Sequence, residues 1–136
     1  MENFFSSSSS ASPLETYIAD DFPKNFNRQI SEDIANRLAE GYPPGQTKLY
    51  LTVFLAREGR SDVAQAVEDI LRTKGFTILQ KPNEDAVTIA WRIDKIDDRT
   101  WYLCVNLSSG YRFTKLYDSP DDNTLTSIGL LSQGMF

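Results

Sequence analysis

Three stretches of alternating apolar and polar residues follow one another between Val87 and Tyr117. In the first, Val87, Ile89, Trp91 and Ile93 alternate with Thr88, Ala90, Arg92 and Asp94. In the second, Trp101, Leu103, Val105 and Leu107 alternate with Tyr102, Cys104 and Asn106. The third runs from Tyr111 to Tyr117. A period of two is the signature of a strand with one buried face. The connections, Asp97-Asp98-Arg99 and Ser108-Ser109-Gly110, are turns. They are far too short for a parallel crossover, so the three strands form an antiparallel meander. A meander alone cannot shield its apolar face, so the rest of the chain has to cover it.

Two helices are available for that task. Ile30, Ile34 and Leu38 recur every four residues over about 28–40, and Ala35 joins their face. That spacing predicts an amphipathic helix, with Asp33 and Arg37 positioned to pair on its outer side. Gly41 followed by Tyr42-Pro43-Pro44-Gly45 predicts its end. The second helix starts at Ser61, a good N-cap, with Asp62 in its first turn. Val63, Val67, Ile70 and Leu71 make its apolar face, and Gly75 is its expected stop. Between the helices, Thr47 to Leu55 reads as a strand with apolar side chains on both faces. Phe76 to Leu79 reads as a further short strand. The predicted order is α-β-α-β-β-β-β. It defines an α+β fold with two helices packed on a small, mainly antiparallel sheet.

Composition changes at both ends. Residues 1–23 hold four acidic side chains and no basic one, and residues 118–136 hold three acids and again no base. The middle has fourteen bases against twelve acids, so the net charge of −5 comes from the tails. Three segments are expected. Residues 1–26 form a Ser-rich tether (Ser6 to Pro13) followed by a docking segment. Residues 27–119 form the globular domain. Residues 120–136 form an edge strand or a docking tail. The apolar residues of the two end segments are the candidate protein contacts: Tyr17, Ile18 and Phe22, then Leu125, Ile128, Leu130, Leu131 and Phe136.

The chain offers little for chemistry. It contains no histidine and one cysteine, Cys104, which lies inside an alternating strand. This excludes histidine-based triads, multi-cysteine zinc sites and an internal disulfide. No phosphate-binding glycine motif and no nucleophile elbow occurs. The acids Asp94, Asp97 and Asp98 lack the ligand spacing of a calcium loop. Neither a catalytic site, a metal nor a cofactor is expected. The negative net charge argues against nucleic acid as a partner. No window is apolar enough for a membrane span, and the first residues lack the features of a signal peptide.

The order of elements in the second half resembles the TrbH family, small lipoproteins of conjugative type IV secretion systems. The residues that carry the likeness are Leu71-Arg72-Thr73-Lys74-Gly75-Phe76 before a strand, then Val87 to Asp94. Tyr102 to Leu107, Gly110, Tyr111-Arg112-Phe113, Tyr117 and a Leu-rich end complete it. The likeness spans about residues 31–131. It implies a fold similar to the ring-building modules of secretins, and a non-enzymatic, ring-forming structural subunit near the outer membrane, joined to protein partners of a secretion complex as a homo- or hetero-oligomer. The Ser-rich stretch would link a lipid anchor to the domain, although no lipobox cysteine occurs in this sequence. The implied location is the periplasm and outer membrane if an export signal has been removed, and otherwise the cytoplasm. The alternative reading is a cytoplasmic acidic adaptor or secretion chaperone with a protein partner.

Overall fold

The computed structural model describes residues 16–52 and 62–136. The Ser6–Pro13 tether, the Val53–Leu55 end of the expected strand and the Ser61 N-cap lie outside the described residues. In chain order the elements are β1 (Tyr17–Ile18), α1 (Asn27–Gly41), β2 (Lys48–Leu51), α2 (Asp62–Thr73) and β3 (Thr77–Leu79). They continue with β4 (Val87–Lys95), β5 (Thr100–Leu107), β6 (Arg112–Asp118) and β7 (Thr126–Gln133). The fold is α+β: two helices and a seven-stranded sheet in the order β3-β2-β4-β5-β6-β7, with β1 also paired to β4.

The sheet is mixed, and its long pairings are the antiparallel ones, as expected. The meander β4-β5-β6 is antiparallel and β7 extends it. On the other side of β4, the pairings with β1 and β2, and that of β2 with β3, are parallel. Helix α2 joins β2 to β3 as a crossover and returns the chain in the same direction, which makes that pair parallel.

Strands β1 and β2 share one flank of β4. Strand β2 pairs as far as Leu51 opposite Ile89, and β1 takes over at Tyr17 opposite Arg92. At the junction the Thr16 and Thr52 hydroxyl oxygens lie 2.6 Å apart. The Thr52 amide donates to the Ile89 carbonyl at 3.0 Å. Two short segments from distant parts of the chain thus act as one composite strand.

Both helices cover the face that carries Ile89, Trp91 and Ile93. Ile30, Ile34, Ala35 and Leu38 of α1 join Val63, Val67 and Leu71 of α2 in one core with Leu103, Val105 and Phe113. Burying each large aliphatic side chain contributes about 1.5–3 kcal/mol. Ser31 permits close approach of the helices: it is fully buried, with its hydroxyl donating to the Asn27 carbonyl at 2.6 Å. Helix α2 stops as its sequence predicts. The Phe76 amide donates to the Leu71 carbonyl and the Gly75 amide to the Arg72 carbonyl, both at 3.0 Å. Gly75 has φ +105°, so this is a Schellman cap.

Gly41 has a different role from the expected left-handed stop. It is the last residue of α1 without a positive φ, and Tyr42 continues extended. A Cβ at Gly41 would collide with the Phe136 ring, so this glycine leaves room for that ring. The expected Asp33–Arg37 pair is also replaced. Arg37 donates to Glu40 at 2.7 Å and to the Tyr111 hydroxyl at 2.6 Å, while Asp33 accepts from Tyr117 at 2.6 Å. Both side chains reach the sheet, whose hydroxyls sit where water is scarce and hydrogen bonds are worth more.

Candidate interaction surface

The eight apolar candidates separate into two groups. Five are engaged within the chain. Tyr17 and Ile18 form β1, and the Arg92 guanidinium lies 4.5 Å over the Tyr17 ring. Phe22 is buried and meets Trp101 edge-on at 5.0 Å. The backbone from Thr16 to Phe26 therefore lies against the domain. Leu125 is buried, and its carbonyl accepts from Gln29 at 2.7 Å. Phe136 stacks on Tyr111 at 3.9 Å and meets Tyr42 edge-on at 5.1 Å. Gly134 makes this return possible. Its φ is +81°, and a Cβ there would lie 2.6 Å from the Gly110 carbonyl oxygen.

The other three candidates stand on β7 and are exposed. Ile128 is 58% exposed, Leu130 47% and Leu131 66%. Met135, just beyond the strand, is 84% exposed. Exposed Ile96, in the turn after β4, was not singled out by the sequence, because one apolar residue in a polar turn carries no periodic signal.

Among the described residues, strand β7 pairs with β6 alone and forms one edge of the sheet. The register places Leu130 beside Lys115, on the helix-covered face, and Leu131 beside Thr114 on the opposite face. A bulge near Ile128, opposite Leu116 and Tyr117, kinks the start of the strand. No residue from Asn123 to Phe136 is charged, and none is proline. Natural edge strands are usually blunted by charge, proline or shortness. The other edge follows that rule. Strand β3 has only three residues and leads into Gln80-Lys81-Pro82.

Strand β6 supports this edge from below. The Tyr117 hydroxyl donates to Asp33, and the Lys115 ammonium lies 3.4 Å from the same carboxylate oxygen. Burial, reinforced by the hydrogen bond to Asp33, pushes the Tyr117 phenol far above the ordinary tyrosine range.

The Asp97 carboxylate caps the β4–β5 turn by accepting from the Arg99 and Thr100 amides at 2.9 and 2.8 Å. These amides hold its carboxyl below the usual range. Among the described residues, no group of three His, Cys, Asp or Glu side chains is arranged to hold a metal. Cys104 is half-buried on the face opposite the helices. An open groove of about 410 Å³ runs between the helices, lined by Arg28, Glu32, Asp69, Ile70 and Lys74. Its charges alternate in sign and favour neither an anion nor a cation. No helix among the described residues is long and apolar enough to cross a membrane.

Fold and surface together define a small α+β domain that presents an uncharged, apolar strand edge. The family model for the conjugal transfer protein TrbH matches residues 3–134, nearly the whole chain, and the chain belongs to that family. No curated protein and no solved structure matches it. The family carries a role in conjugal transfer.

Proposed function

We propose that this chain is a non-enzymatic structural subunit of a conjugative type IV secretion apparatus, assembling through protein contacts at the outer-membrane core complex. The observation that carries this reading is β7, an eight-residue strand with a free edge and three exposed aliphatic side chains. Apolar surface left open along a pairing-competent edge suits addition of a neighbouring segment or strand. The family's role in conjugal transfer supports the same reading. The Ser-rich stretch before Thr16 serves as the tether between an envelope anchor and the domain.

The test is genetic and biochemical. Deleting the gene from a conjugative donor is expected to abolish transfer, and the full chain is expected to restore it. A chain with Leu130→Lys and Leu131→Lys is expected to fold and yet fail to restore transfer. Fractionation of the donor is expected to place the protein in the envelope. Unchanged transfer after deletion would sink the proposal. Recovery in the cytosol would favour the adaptor reading instead.

A further inference from the structure

We infer that β7 pairs with β7 of a second copy, antiparallel across a two-fold axis at Leu130. Seven strands from each copy then make one continuous sheet of fourteen. This rests on the reading of the chain as an assembly subunit, and it names the neighbour.

Charge argues first for a second copy. A partner recognised by opposite charge needs charge to recognise, and β7 has none from Asn123 onward. A neutral apolar strand fits another neutral apolar strand, and each copy supplies one. Because the strand carries no charged side chain, two copies of it bring no like charges together in any register.

Shape fixes the register. A two-fold axis perpendicular to the sheet keeps paired residues on the same face, so beyond the bulge, from Gly129 onward, the numbers of two partners add to an even total. With Leu130 on the axis, Gly129 faces Leu131 of the partner subunit, and Leu131 faces the partner's Gly129. A large side chain thus meets a small one twice. Leu116 already leans over Gly129, since a Cβ there would lie 3.7 Å from the Leu116 Cδ1. The partner's Leu131 then packs on Gly129 beside Leu116. On the helix-covered side the two Leu130 side chains meet each other. In this register Ser132 and Gln133 face the bulged Ile128 and Ser127 of the partner subunit, so regular pairing is confined to Gly129, Leu130 and Leu131 of each copy.

The interface is small, so a dissociation constant on the order of 1–100 µM is expected. Sedimentation of the full chain across that range should show a monomer–dimer equilibrium. The register is tested with cysteines in a Cys104→Ser background. Across the axis the Leu130 Cα atoms should stand about 4.5–5.5 Å apart, inside the range a disulfide can bridge. Leu130→Cys is therefore expected to give an oxidised dimer. The Thr126 positions would be about 27 Å apart in this register, so Thr126→Cys should give none. Leu130→Lys places two ammonium groups on the axis and is expected to weaken the dimer at least ten-fold, with an unchanged circular dichroism spectrum. A chain that stays monomeric above that concentration range overturns the inference. So does equal cross-linking at both positions, or a dimer that survives Leu130→Lys. Transfer assays separate the two readings. If deletion abolishes transfer while the chain is monomeric, only the pairing falls. If deletion leaves transfer intact, the assembly role falls whatever the oligomeric state.

Discussion

Strands β5 and β7 are both eight residues long and belong to the same sheet. Along β5, half-buried and fully buried residues alternate without a break. Along β7, every residue is exposed except the half-buried Gly129. Composition does not separate them so sharply, since β7 contains an isoleucine and two leucines. Position does. Strand β5 lies between β4 and β6 and beneath the helices, whereas β7 lies beyond them with one neighbour. A fold uses the apolar residues its layers can reach, and the rest remain available to something else.

This contrast predicts a gradient of mutational cost across the sheet. Leu103→Ala in β5 removes a side chain with no exposed surface and should cost about 2–5 kcal/mol in urea denaturation. On β6, Tyr117→Phe keeps the ring and loses the hydrogen bond to Asp33, for about 1–2 kcal/mol. At the far end, Leu131→Ala in β7 should change the stability of the dilute monomer by less than about 0.5 kcal/mol. A cost above that of Tyr117→Phe would show that β7 belongs to the core, and the contrast would be lost.

Alkali sharpens the same comparison. The folded protein holds the Tyr117 phenol protonated well above the usual tyrosine range. An unfolded tyrosine loses its proton near pH 10. The stabilisation linked to this group is complete below that pH and declines as the pH rises further, because only the unfolded state then gains by ionising. The Tyr117→Phe variant should therefore lose stability less steeply above pH 10 in denaturation measured at several pH values.

The sequence made the meander and both helices legible because their periods are clean. Ile30, Ile34 and Leu38 keep a helical spacing, and Trp101 to Leu107 keeps a spacing of two. The pattern Ile128-Gly129-Leu130-Leu131 keeps neither, so the chain after Thr124 could be read as strand or tail. A bulge disrupts the period there. Strand β1 was not legible as a strand. Two residues have no period, and only β4 makes them a strand. Parallel pairing was hidden for a related reason: direction is set by where α2 returns the chain, not by residues within β2 or β3. Asp33 and Arg37 were read as partners from helical spacing alone, whereas the tyrosines that hold them come from β6 and from Tyr111 just before it. Of the candidate contacts, those on β7 needed the sheet order to be told apart from Phe22 and Leu125, which are just as apolar but lie inside.

The composite strand beside β4 also determines how the domain would respond to load. A pull on the chain upstream of Thr16 would reach β1 first. That strand offers two residues of parallel pairing, to Arg92 and Ile93, and the Thr16–Thr52 contact at its start. Next in line is Phe22, wedged against Trp101. Strand β2 fills the rest of that flank and belongs to another part of the chain, so it need not move when β1 peels away. Under such tension β1 would be a sacrificial link: it would yield before Phe22 and leave the meander that presents β7 intact.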